Sequence, residues 1–253
     1  MNYPKKINIT IEHLAETSST NDYLTELCKQ DQAKEFYTVI ADSQTNGRGQ
    51  RGNSWESECG KNLTFSTVLY PTELKAKQQF CLSMIVAVSV VNALSNYTKG
   101  FSIKWPNDIY WKNKKIAGIL IENELEGEYM SRSIIGIGIN VNQETFHSSA
   151  PNPVSFVQIT GMNIDRQELF NKVLHNIMAG YIFLEKEYKQ AISNIQELYH
   201  QNLYRKEGFH PYRDKQGEFM AQLHKVEPSG HLVLKDEQGA LRRYAFKEVE
   251  FVL

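Results

Sequence analysis

The sequence has 253 residues, 41% of them hydrophobic, enough to bury a sizeable core and too apolar for a chain that stays disordered. Its formal charge of −1, with acids and bases interspersed, supplies no overall basic field for nucleic acid. Cys28, Cys59 and Cys81 match no CxxC or metal-ligand spacing, which argues against a disulfide framework and for reduced thiols.

Met1 to Lys6 turn polar without the apolar core of a secretory signal. The longest apolar stretch, Cys81 to Leu94, is interrupted by Ser83, Ser89 and Asn92 and falls short of the ~20 residues of a membrane span, so a soluble cytoplasmic protein is expected. Thr17 to Lys29 predict a helix capped by Ser18, Ser19 or Thr20, and Tyr37 to Ala41 a short strand running into a glycine-rich loop. Leu63, Phe65 and Leu69 alternate as in a strand, whereas Phe80, Met84, Ala87, Val88, Val91 and Leu94 recur at helical spacing. Three further strands are expected at Phe101 to Trp105, Lys115 to Glu122 and Ser133 to Val141. They are separated by turns at Pro106-Asn107-Asp108 and Asn113 and by the polar run Asn123 to Glu128. The stripe Phe170, Val173, Leu174, Ile177, Met178, Tyr181 and Leu184 predicts a long amphipathic helix packing on that sheet. The result is an α+β domain with a mixed sheet over residues 1–204. Beyond Glu207 the short runs Phe219 to Leu223, His231 to Leu234 and Leu241 to Phe246, broken by Gly217, Pro228-Ser229-Gly230 and Gln238-Gly239, predict a small β-barrel over residues 205–253.

Chemistry concentrates in Gln44 to Trp55, where Gly47, Arg48, Gly49, Gln50, Arg51 and Gly52 are consecutive. Glycines admit an anion close to backbone N–H groups and arginines offer multi-donor forks to carboxylate or phosphate, so anion binding is expected, with a flexible solvated loop as the plain alternative. The loop is neither a P-loop nor a dinucleotide fingerprint, because the Lys-Ser/Thr pair and a GxGxxG opening a helix are both missing. Lys115 opens the apolar run Ile116 to Ile121; its alternative reading is a strand-end lysine in solvent beside Lys112 and Lys114. In Lys104-Trp105-Pro106-Asn107-Asp108 the proline sets a turn from which Asn107 and Asp108 project together, to bind a ligand or only to form an Asx-turn. Trp55, Trp105 and Trp111 read first as packing groups, the seven histidines show no metal spacing, and no Ser/His/acid or thiol acyl-transfer arrangement is evident.

The loop resembles the GRGxRG loop of biotin protein ligases. Four more stretches resemble motifs of that family in its order: Ser19-Thr20-Asn21, Lys104 to Asp108, Lys115-Ile116-Ala117-Gly118-Ile119-Leu120, and Gly136-Ile137-Gly138-Ile139-Asn140-Val141-Asn142. The resemblance implies a class II aminoacyl-tRNA synthetase-like catalytic domain followed by a small SH3-like barrel. It also implies formation of biotinyl-5′-AMP from biotin and ATP with release of pyrophosphate, then transfer of biotin to a lysine of a biotin carboxyl carrier protein. Carried over residue by residue, Ser19, Thr20, Asn21 and Gln44 face the ureido end of biotin, a neutral group suited to uncharged polar side chains. Arg48, Gly49, Gln50, Lys115 and Gly118 complete the biotin contacts. Arg51, Trp55, Lys104, Asn107 and Asn140 surround ATP, with Mg²⁺ held mainly through the phosphates and no metal ligand identified. Lys115, Arg48 and Arg51 are the implied catalytic residues. One variant of the family has a third arginine where Gln50 stands, so this loop has one fewer positive charge for holding the adenylate. Gly118, Gly136 and Gly138 read as sites of close backbone approach to ligand, or as plain β-bulges. Many relatives carry an N-terminal DNA-binding domain; only sixteen residues precede Thr17, so no sequence-specific DNA binding is expected. A lipoate or octanoate ligase and a non-catalytic biotin sensor are the rival readings, and a homodimer is left open.

Overall fold

A strand that the sequence reading does not anticipate precedes the first helix. The computed structural model describes residues 9–148 and 152–252, and in it β1 (Thr10–Thr17) runs parallel to β2 (Tyr37–Gln44), with α1 (Thr20–Lys29) as the connection. Parallel neighbours need such a crossover. β1 lies at a sheet edge with most of its residues partly or fully exposed, so no apolar alternation marks it. Helix α1 starts three residues later than expected. Ser19 is its N-cap, with extended backbone (φ −157°, ψ 133°), but its side chain makes no cap bond. The Thr20 N–H is met instead by Gln44 Oε1 at 2.8 Å.

The described residues form two compact units. In the first, the strand order is β1-β2-β3-β7-β6, with β3 (Leu63–Leu69), β6 (Lys114–Glu126) and β7 (Tyr129–Ile139) antiparallel to their neighbours. All seven residues of β3 are buried, as its central place requires. Leu24 and Cys28 of α1 pack with Val39, Val68 and Ile134, and the short helix α3 (Phe156–Thr160) is closed by a capping box between Ser155 and Gln158. The polar run Asn123 to Glu128, expected as a loop, is a correction: β6 continues to Glu126 and the hairpin turns at Gly127 (φ +63°). Glu124, Leu125 and Glu126 are exposed on this extension, so polar residues occupy paired backbone there.

The second unit has the strand order β6-β5-β4, made of the first residues of β6 with β5 (Asp108–Trp111) and β4 (Phe101–Lys104). β5 was not expected as a strand; it pairs Lys104 with Asp108 and Phe101 with Trp111, making a hairpin of the proline turn, whose Trp105–Pro106 peptide is cis. Helix α2 (Phe80–Leu94) is buried almost all round. The run Ala76–Leu94 is long and apolar enough to cross a membrane by composition, yet 72% of its most apolar window lies inside the fold. Helix α4 (Arg166–Lys186) buries the expected stripe from Phe170 to Leu184. It meets α2 where Gly180 faces Ile85 and Asn176 donates to the Ser89 carbonyl at 3.2 Å. Helix α5 (Tyr188–Gln201), absent from the sequence reading, fully buries only Ala191 and Tyr199.

The same unit contains a five-stranded antiparallel sheet, order β11-β10-β9-β8-β12, made of β8 (His210–Asp214), β9 (Gly217–Val226), β10 (Leu232–Asp236), β11 (Leu241–Tyr244) and β12 (Glu250–Phe251). It agrees with the small β-rich C-terminal domain expected, although β8 and β12 were not anticipated. Tyr212 packs with Phe219 and Phe251, and Phe219 stacks on Tyr244. Trp105, 5% exposed, donates its indole N–H to the Gly230 carbonyl at 2.9 Å and sets its edge on Phe246.

Candidate functional site

Within the first unit, the start of α1 at Ser19 to Asn21, the glycine loop, the end of β2 and Glu122 of β6 converge. Ser19, Thr20 and Asn21 are 2%, 4% and 3% exposed. Gln44 Oε1 accepts from the Thr20 N–H at 2.8 Å and lies 3.2 Å from the Thr20 hydroxyl oxygen. Ser66 of β3 lies 2.7 Å from Thr20 Oγ1 and 2.6 Å from Asn21 Oδ1. A Cβ at Gly136 would fall 2.2 Å from Asn21 Oδ1, so glycine there makes room for this amide. These groups form a neutral, buried polar cluster able to exchange hydrogen bonds with a neutral polar ligand.

The loop is a closed turn. Asn46 N–H bonds Ser18 O, Gly49 N–H bonds Asn53 O and Trp55 N–H bonds Gly47 O, while a Cβ at Gly47 would lie 2.5 Å from the Trp55 carbonyl. The Gly49 N–H is thus used inside the turn, and Gly52 takes φ +86°, where glycine is unstrained. Arg48 Nη2 contacts Asp22 at 2.7 Å and Glu122 at 2.8 Å. The Arg51 backbone belongs to the turn Gln50–Gly52, and its side chain lies outside the described part. Gln50 is half-buried, its Oε1 buried without a hydrogen-bond partner. Asn140, 3% exposed, directly follows β7, and Gly118 pairs with Gly138 across the β6–β7 ladder.

The Trp55 indole lies over Gly138, where a Cβ would come within 2.3 Å of the ring. Gly138→Ala is therefore expected to push Trp55 aside at a cost of about 1–3 kcal/mol, read as a lower melting temperature with a shift in tryptophan emission. An unchanged spectrum and melt would contradict the close packing.

Within the second unit, Lys115 Nζ sits 2.7 Å from Asp108 Oδ1, the two side chains 30% and 31% exposed. Backbone bonds fix the strand at this point: Lys115 N–H to Asn152 O and Val154 N–H to Lys115 O, each 2.9 Å. A pair this accessible to water is worth about 1 kcal/mol or less, so an arriving anion can displace Asp108. Lys104 is turned inward: Nζ donates to Tyr110 OH at 3.1 Å and lies over the Tyr110 and Phe251 rings. Burial, more than any neighbouring charge, holds its pKa below the ordinary lysine value. Asn107 is 5% exposed.

Sequence reasoning missed Asp22, Ser66 and Glu122. Ser66 occupies a polar position inside an alternating strand, and Glu122 closes the apolar run that Lys115 opens; each signal is too common to single out a site residue.

Comparisons with known proteins bear on these clusters. Residues 14–140 match the family described as Biotin/lipoate A/B protein ligase family. The Bacillus subtilis (strain 168) bifunctional ligase/repressor BirA is 34% identical over 184 residues, 70% of this chain and 53% of that protein. A Paracoccus denitrificans biotin–[acetyl-CoA-carboxylase] ligase is 32% identical over 167 residues, 62% of this chain and 67% of that one. The chain spans about half the length of the first curated relatives it matches. Among solved structures, the Aquifex aeolicus biotin protein ligase in complex with biotin and ATP superposes with a TM-score of 0.77 at 29% identity, covering 96% of this chain and 99% of that one.

Proposed function

The chain belongs to the biotin/lipoate A/B protein ligase family, and on that premise we propose that it activates biotin as biotinyl-5′-AMP and transfers it to a lysine of a biotin carboxyl carrier domain. In the first half-reaction the biotin carboxylate attacks the α-phosphate of ATP and pyrophosphate leaves. In the second, the acceptor amine attacks the acyl carbonyl and AMP leaves. The observation that carries this reading is that Arg48 and Lys115 each rest on partly exposed carboxylates, which an anionic substrate can replace.

Thr20, Asn21 and Gln44, with buried Ser19, suit the neutral ureido group. Arg48 and Arg51 neutralise the biotin carboxylate and the phosphates, and Lys115 meets the charge that grows at the α-phosphate, where a fixed cation lowers the barrier most. Gly49, Gln50 and Gly118 line the biotin tail, and Trp55, Lys104, Asn107 and Asn140 attend the nucleotide. Mg²⁺ supplies further neutralisation of the phosphates. Among the described residues no three or more His, Cys, Asp or Glu side chains gather into a metal cluster. Such an ion would be carried mainly on the ATP phosphates, with the buried Asn140 amide as a neutral oxygen donor beside it. We further assign the catalytic domain to residues 1–204 and the small domain to 205–253, in a cytoplasmic enzyme.

The test is transfer. Incubated with biotin, MgATP and a purified biotin carboxyl carrier domain, the protein is expected to add one biotin to the acceptor, seen by intact mass. No mass shift on an acceptor that another biotin ligase does modify would refute the acceptor assignment.

A further inference from the structure

One chain of hydrogen bonds links Thr20, Ser66, Asn21 and Glu122 of β6, and its direction is set at a single end. A carboxylate can only accept. Glu122 Oε2 takes Asn21 Nδ2 at 2.7 Å and Arg48 Nη2 at 2.8 Å, so the Asn21 amide must turn its nitrogen to β6 and its oxygen to β3. That oxygen then accepts from Ser66 Oγ at 2.6 Å. Ser66 has one hydroxyl proton; once this goes to Asn21, the 2.7 Å contact between Ser66 Oγ and Thr20 Oγ1 must be made by the Thr20 hydroxyl. Gln44 Oε1 is meanwhile held as an acceptor by the Thr20 N–H at 2.8 Å. The side-chain N–H groups left over, the second of Asn21 and those of Gln44 Nε2, are donors. Such a face fits a carbonyl oxygen in the ligand.

We propose that Glu122 is a positioning residue of this site: through Asn21 it fixes the donor face that receives the ureido carbonyl, and through Arg48 it ties that face to the glycine loop. The inference rests on the biotin reading above. Gly136 supports it sterically, because any Cβ would displace the oriented amide. Asp22 shares Arg48 at 2.7 Å but has no bond to Asn21, so it cannot substitute for Glu122 in ordering the chain.

The test is calorimetric titration of biotin alone into the wild type, Glu122→Gln, Asn21→Ala and the double variant. The amide introduced by Glu122→Gln can donate as well as accept, which frees the chain to reverse, and affinity is expected to fall about tenfold or more. In the Asn21→Ala background the same change is expected to cost less than about twofold, because the coupling runs through that amide. Glu122→Asp keeps an acceptor-only group and is expected to retain more affinity than Glu122→Gln; since the Glu122 side chain is 38% exposed, both should fold. Equal losses with and without Asn21, no loss in Glu122→Gln, or a weaker Glu122→Asp would each overturn the proposal while wild-type biotin binding stands. Wild type that does not bind biotin would instead overturn the functional reading beneath it.

Discussion

Lys115→Ala is expected to lower biotin-dependent adenylation by about 10²–10³-fold, the usual consequence of removing one preorganised charge-stabilising donor, while the protein stays folded. The two halves of this expectation have separate grounds. The strand is held by its backbone, through Lys115 N–H to Asn152 and Val154 N–H to the Lys115 carbonyl. The ion pair it loses, with Asp108, is about one third exposed and contributes about 1 kcal/mol or less. Stability therefore changes little and chemistry changes a great deal. Steady-state adenylate formation beside a thermal melt separates the two, and full activity in Lys115→Ala would remove this residue from the mechanism.

Trp105→Ala is expected to produce the largest loss of stability, about 3–5 kcal/mol. The ring is 5% exposed, packs its edge on Phe246, and donates to the Gly230 carbonyl. Truncation leaves a cavity and strips that carbonyl of its donor, and both costs add. Phe80 lies against the same turn: a Cβ at Gly230 would come within 2.8 Å of its ring, so there is little slack for the site to collapse. The measurement is the urea midpoint and slope. A loss below about 1 kcal/mol would mean that the proline turn and the β9–β10 turn do not share a packed contact.

These two residues also show what a sequence can and cannot reveal. Trp105 reads as a packing group and is one, yet its partners are 125 and 141 positions away on turns whose approach no local pattern encodes. Helices α2 and α4 were legible because nearly every apolar residue of the period is buried. Helix α5 was not, since only Ala191 and Tyr199 are fully buried and no stripe forms. β1 is an exposed edge, and the outer part of β6 is a solvated hairpin, so in both cases backbone pairing rather than apolar alternation makes the strand. In the candidate site the motif residues could be picked out by type and spacing. Their partners could not: Glu122 reaches Asn21 across 101 positions and Arg48 across 74. A lone glutamate where an apolar run stops carries no mark of that role.

The loop residue Gln50 carries a milder expectation. With one arginine fewer than a variant of the family, the loop holds a negatively charged intermediate by less Coulomb attraction, and Gln50→Arg is expected to slow release of the adenylate about tenfold or more, by about one charged hydrogen bond. Dissociation of preformed biotinyl-AMP, followed by stopped-flow, measures it; an unchanged rate would mean that position 50 does not touch the intermediate.

The central claim, that biotin is the acid activated, is tested most directly by ATP–pyrophosphate exchange with biotin or lipoate supplied in turn. Exchange with biotin and none with lipoate is the predicted result. Exchange with lipoate alone would contradict the substrate, and exchange with neither would contradict the ligase reading in favour of a binding protein without catalysis.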